Sequence, residues 1–188
     1  MKERESLARA VKSIAWGFLL LHLHFNLGTL DILPDWLGMV LILWALPELA
    51  KHTASAGLLR PFAILLSLWE GVEWLFALFG TTLDLGFLGI IGSIVALYFR
   101  FQLLTEVARI AGKFNCPQER SMLVLRNVDA VMITLFALPI PWDKLEVLAF
   151  LLIILEVIVA LWIGGKLFSL SRSLAETDPG FESVWDNH

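Results

Sequence analysis

The chain has 188 residues, 58% of them hydrophobic and 17% charged, with a mean hydropathy of +0.77. An ordinary soluble domain is about 45–50% apolar and about 25% charged, so this composition excludes a typical soluble protein and points to the bilayer as solvent. A net charge of −4 and a single cysteine, Cys116, argue against a nucleic-acid partner and exclude an internal disulfide and a cysteine-rich metal site.

Six apolar segments follow one another, at about 9–30, 35–51, 59–80, 84–108, 120–140 and 143–173. A spanning helix needs about 20 residues. The runs are continuously apolar, whereas strands of a membrane barrel alternate over about ten residues. The expected fold is therefore all-α: a compact bundle of six transmembrane helices forming one domain over 1–176, with a short acidic tail at 177–188. The opening MKERESLARAVK resembles the charged start of a signal peptide. The apolar part behind it is too long, and no small-x-small site follows, so an uncleaved first span is expected.

The first span contains LLHLHFN. On a continuous helix His22 and Asn26 share a face, and His24 points elsewhere. The turn that follows reads NLGTLDILPDWLG. Gly28 can end the first helix, and Leu33 is pushed out of helical geometry by the proline after it. Pro34 suits the first turn of the second helix, where Asp35 meets the positive helix end. Trp36 fits an interfacial anchor. Asp31 and Asp35 are also candidates for the mouth of a binding site.

In the second span, Glu48 precedes Lys51 and His52 by three and four residues, the spacing of a local pair. The third span is the most unusual. Within SLWEGVEWLFALFG, Glu70 and Glu73 lie on one face near the middle, flanked by Trp69 and Trp74. Ionisable groups at membrane depth are costly and mark functional sites by default. Two carboxylates so close together in low dielectric call for a shared proton or a cation. At about 1.5 Å per residue, His22 and Glu73 fall about 13 and 10 Å below the outer turns, close enough in depth to meet. In the fourth span, Gly86, Gly89 and Gly92 read as a packing stripe, and Arg100 with Gln102 can snorkel to water. Arg126 and Asp129 have pair spacing in the fifth, and Glu156 lies in the sixth.

Of the 14 basic residues, all but Lys144 fall on one side if six spans exist, and Asp31, Asp35, Asp84 and Asp143 mark the opposite turns. The positive-inside rule then puts both termini in the cytoplasm. The aspartate turns also suggest three helical hairpins, and the short match of GTLDILPDWLG with TTLDLGFLG supports such a repeat.

Asn26, Gly28, Asp31, Ile32, Leu33, Pro34, Asp35, Trp36, Leu37 and Gly38 form a turn that resembles one carried by an uncharacterised group of small bacterial multi-pass membrane proteins. The resemblance covers about 13 residues. It implies a bacterial membrane protein and no particular activity. The expected location is the bacterial cell (inner) membrane.

No H-E-x-x-H, G-x-S-x-G or paired-glutamate intramembrane protease motif occurs, and the histidines do not suit a bis-histidine haem. Catalysis is not the favoured expectation, and no cofactor or metal is expected. The expected function is binding or transport of a small, cationic or protonatable solute in an outer-half cavity. Its candidate residues are Glu70, Glu73, His22, Asn26, Trp69, Trp74, Asp31 and Asp35, since aromatic faces with carboxylates attract organic cations. The competing expectation is a non-enzymatic scaffold or accessory subunit held by a buried polar network. Beyond the lipid bilayer and a small solute, a membrane-protein partner or a second copy of the chain stays open.

Overall fold

The computed structural model describes residues 2–22, 26–27, 30–31, 35–81, 86–138 and 140–176, with the side chains of 26–27, 30–31 and 143 left aside. Six long helices dominate. They are α1 (Lys2–Leu20), α2 (Asp35–Ala50), α4 (Arg60–Leu78), α5 (Phe87–Lys113), α6 (Glu119–Ala137) and α7 (Glu146–Ala175). A single helical turn, α3 (Ala54–Gly57), precedes α4, and a short 3-10 turn over Trp142–Lys144 precedes α7.

The first helix differs most from expectation. It starts seven residues earlier than expected and ends at Leu20 rather than near Gly28. Its last turn tightens, with the His22 amide donating to the Leu19 carbonyl at 3.1 Å. Beyond it, β1 (Asn26–Leu27) pairs antiparallel with β2 (Leu30–Asp31), Asn26 facing Asp31 and Leu27 facing Leu30. From Leu21 to Leu27 the sequence alternates apolar and polar residues, the period of a strand rather than of a helix, so the change was carried by periodicity and hidden only by the high mean hydropathy. Gly28 and the Ile32–Pro34 stretch lie outside the described residues, as do His24, Asp84 and the 177–188 tail.

The second helix starts at Asp35 as expected, which puts a carboxylate at the positive helix end. Pro47 sits near its C-terminus, and the helix stops three residues later. The crossing of α1 and α2 is set by two glycines. A Cβ on Gly17 would lie 2.5 Å from the Gly38 carbonyl oxygen, and a Cβ on Gly38 2.6 Å from the Gly17 oxygen. Only glycine at both positions lets the backbones touch.

Packing runs round a ring: α1 against α2, α2 against α4, α4 against α5, α5 against α6, α6 against α7, and α7 back against α1. The α4–α5 contact is the loosest of these. The expected middle hairpin is thus the seam of the bundle rather than a tightly packed unit. The buried core gathers towards one end, from Leu7, Ile14, Leu49, Leu103, Val107, Ile163 and Leu170. At the other end Leu68, Phe79, Phe87, Ile90, Val147 and Phe150 stand exposed.

Three helices are long and apolar enough to cross a membrane: Ala54–Leu78, Phe87–Lys113 and Glu146–Ala175. That supports a membrane protein, and it accounts for the exposed apolar faces, which lipid would cover. The other three long helices fall short for visible reasons. α1 carries Lys2, Glu3, Arg4, Glu5, Arg9 and Lys12, α6 carries Glu119, Arg120, Arg126 and Asp129, and α2 has 16 residues.

Candidate functional site

The seam between α4 and α5 opens into a groove of about 360 Å³. Trp69, Glu70 and Glu73 line it from α4, and Gly89, Gly92 and Ser93 from α5. On each helix the three residues recur at three- and four-residue spacing, which places them on one face. Glycine shapes the far wall. A Cβ on Gly92 would touch the Trp69 indole at 3.4 Å, while one on Gly89 would meet nothing within 4 Å. The glycine stripe expected to bring helices together does not press them: a Cβ at Gly92 would be in ordinary contact with the indole, and Gly89 leaves a recess beside it.

Trp69 donates a side-chain hydrogen bond to Glu73, and Asp35 at the start of α2 lies within electrostatic reach of Glu73. Trp74 meets Trp36 edge to face, with ring centroids 6.2 Å apart. The Ser93 hydroxyl donates to its own helix, to the Gly89 carbonyl at 3.0 Å. Among the described residues no Lys or Arg lines the groove. Glu73 is exposed there, and Glu70 and Trp69 are half-buried. The arrangement offers carboxylates on an aromatic wall, which is the chemistry that holds an organic cation.

The structure thus brings together Glu70, Glu73 and Trp69, with Asp35 and the Trp36–Trp74 pair nearby. β2, which carries Asp31, lies against α4, but the side chains of Asp31 and Asn26 are outside the described residues. His22 and Asn26 do not share a helix face, because α1 ends before either.

His22 belongs to a second cluster that spacing could not foretell. Arg100 of α5 donates through Nη2 to Asp129 Oδ1 of α6 at 2.5 Å and also to His22 Nε2. His22 Nδ1 lies 2.7 Å from the Phe18 carbonyl. A proton on Nδ1 would serve that carbonyl and leave Nε2 as the acceptor for the guanidinium. The imidazole stacks on Phe18 at 4.5 Å, and the guanidinium carbon sits 5.3 Å over the same ring. His22 and Asp129 side chains are each 4% exposed. The expected pairing of Asp129 with Arg126 is therefore corrected: Arg126 bonds Asn127 and Thr105 and lies over Phe101. Arg100, expected to snorkel, turns inward because Asp129 and His22 offer it acceptors.

Glu106, which sequence reasoning missed, is fully buried on α5. Its Oε1 accepts from Gln102 at 2.7 Å and from Arg109 at 2.9 Å, and Arg109 also donates to Ser55 of α3 at 3.1 Å. Spacings of four and three in FQLLTEVAR carried that signal. The local pair of Glu48 with Lys51 forms as expected, at 2.5 Å, and Ser6 of α1 donates to the same carboxylate. His52 lies within electrostatic reach of Glu48 without a hydrogen bond to it. It faces Glu3 at 3.9 Å and packs edge-on against Phe114.

Cys116, in the α5–α6 connection, is buried. Burial pushes its thiol above the usual range, and Arg4 opposes that shift. Among the described residues no group of three or more His, Cys, Asp and Glu could hold a metal ion. No family model matches the chain, and neither does any curated protein or any solved structure.

Proposed function

We propose that the chain is a six-span protein of a bacterial inner membrane, with both termini cytoplasmic, and that it binds or transports a small organic cation or protonatable solute in the α4–α5 groove. One observation carries the reading: Glu70 and Glu73 open into a single groove beside Trp69, within a segment apolar enough to cross a membrane. Carboxylates in such surroundings are expensive unless a cation offsets them. The cation-rich ends of the helices support the orientation. Contacts from Ser6 to Glu48, Arg109 to Ser55, Gln118 to Ser169 and Ser171 to Ala8 gather them at one end of the bundle.

The test is thermal stabilisation of the purified chain by benzyltrimethylammonium against its uncharged carbon isostere. Stabilisation by the cation alone supports the reading, and an equal response to both refutes it. A second reading, an accessory subunit, draws on the exposed apolar faces of α4, α5 and α7. It predicts a fixed partner on purification and no response to cations.

A further inference from the structure

A second open feature lies on the opposite side of α1, where α1 meets α7. A groove of about 540 Å³ runs between them at their cation-rich ends, walled by Glu5, Arg9 and Lys12 of α1 and by Arg172 of α7. Its floor is fixed, since the Ser171 hydroxyl donates to the Ala8 carbonyl at 2.7 Å. Arg9, Lys12 and Arg172 are all exposed, and among the described residues none of them forms an ion pair. Three cations and one carboxylate thus line the groove, leaving it with an excess of two positive charges.

The groove changes character along its length. On α1 the stripe Glu5, Arg9, Lys12 continues to Trp16, which is 52% exposed. On α7 the stripe Arg172, Phe168 continues to Gly165 and the exposed Leu161. Trp16 and Phe168 meet edge to face at 5.3 Å, directly beyond the cations. A Cβ on Gly165 would meet nothing within 4 Å, so a notch stays open beside them. From Phe168 to Leu161 the apolar stretch runs about 10 Å along the helix axis. It lies on one of the helices apolar enough to span a membrane.

We infer that this groove holds the phosphate headgroup of an anionic phospholipid, with the start of an acyl chain along Trp16, Phe168 and the Gly165 notch. A free phosphate would use the cations but not the apolar continuation. A basic pocket at the end of a spanning helix is where a headgroup sits, and each Lys or Arg there adds to the attraction. Glu5 favours a headgroup with hydroxyls, which can donate to its carboxylate. The inference rests on the chain being in a membrane. It is independent of the solute groove, which lies on other helices.

The test uses the full chain in neutral detergent, with lipid retention read by native mass spectrometry and thermal stabilisation read alongside. Phosphatidylglycerol should be retained and should stabilise, and phosphatidylcholine of the same chain length should do neither. Arg172→Gln and Lys12→Gln should each weaken phosphatidylglycerol binding about fivefold. Lys113→Gln and Arg120→Gln, outside the groove, should not. Gly165→Leu should also weaken it, through the notch and with every charge intact, so a folding defect in a charge variant does not decide the matter. Equal retention of the two lipids would overturn the inference. So would equal stabilisation by glycerol phosphate or inorganic phosphate, which would make the groove a free-anion site. Unchanged binding in both charge variants would overturn it as well.

Discussion

Arg100 of α5 and Asp129 of α6 face each other at 2.5 Å in the interior, and the same guanidinium nitrogen reaches His22 just beyond α1. Three separate parts of the chain therefore share one buried charge pair. Removing one partner of such a pair leaves the other charge uncompensated, at a cost of about 3–5 kcal/mol in soluble proteins. Asp129→Ala is expected to destabilise the chain strongly. The double variant Asp129→Leu with Arg100→Leu should recover part of the loss. Unfolding midpoints in detergent measure both, and a double variant no more stable than Asp129→Ala would contradict the pairing.

The α1–α2 crossing gives a sharper steric prediction. Gly17→Ala places a methyl group 2.5 Å from a backbone oxygen that cannot rotate away. Overpacking of this kind costs about 1–3 kcal/mol. Gly165→Ala, with nothing within 4 Å, is the matched control and should be neutral or stabilise by up to about 1 kcal/mol through helix propensity. Equal midpoints for the two variants would mean that the backbones do not touch there.

Cys116 supplies a pH prediction. Burial raises its thiol, so at neutral pH the thiolate that reacts is scarcer than in a free cysteine. Alkylation by iodoacetamide should be slow at pH 7 and should accelerate at higher pH than for a free thiol. Arg4→Gln removes the opposing charge and should slow it further. Fast labelling at pH 7 would show that the thiol is not buried.

The proposed orientation is tested by accessibility. In a Cys116→Ser background, cysteines replacing Asp35, Asp84 and Asp143 should react in intact cells with an impermeant maleimide. Cysteines replacing His52 and Arg120 should react only after lysis. Labelling of either of the latter two in sealed cells would contradict the orientation.

The helices were legible in the sequence wherever a break in hydropathy marks an end. Asp35 starts α2, where its carboxylate meets the positive helix end. The end of α1 was missed because mean hydropathy stays high there, although the alternation of LHLHFNL already carried the period of the paired strand that follows. Within one helix, side-chain partners follow from spacing, as with Glu48 and Lys51 or Gln102, Glu106 and Arg109. Partners between helices do not. Asp129 chose Arg100, 29 residues away, over Arg126 at three, because burial rather than proximity in sequence selects the partner of an interior charge. Glu70, Glu73 and Trp69 were legible as a set because one helix carries all three. The glycine wall opposite them was visible only as spacing, and its role depends on how loosely α5 meets α4.

The most direct measurement of the central proposal is calorimetric titration of benzyltrimethylammonium into the purified chain and into Glu70→Gln, Glu73→Gln and Gly89→Leu variants. Gln keeps the shape of each side chain and removes its charge. Gly89→Leu builds into a recess in which an added Cβ meets nothing within 4 Å. The account predicts saturable binding to the unaltered chain, and unchanged unfolding midpoints in all three variants without ligand. It also predicts at least a tenfold loss of affinity in each. Binding that survives all three changes would place the cation elsewhere and contradict the proposal.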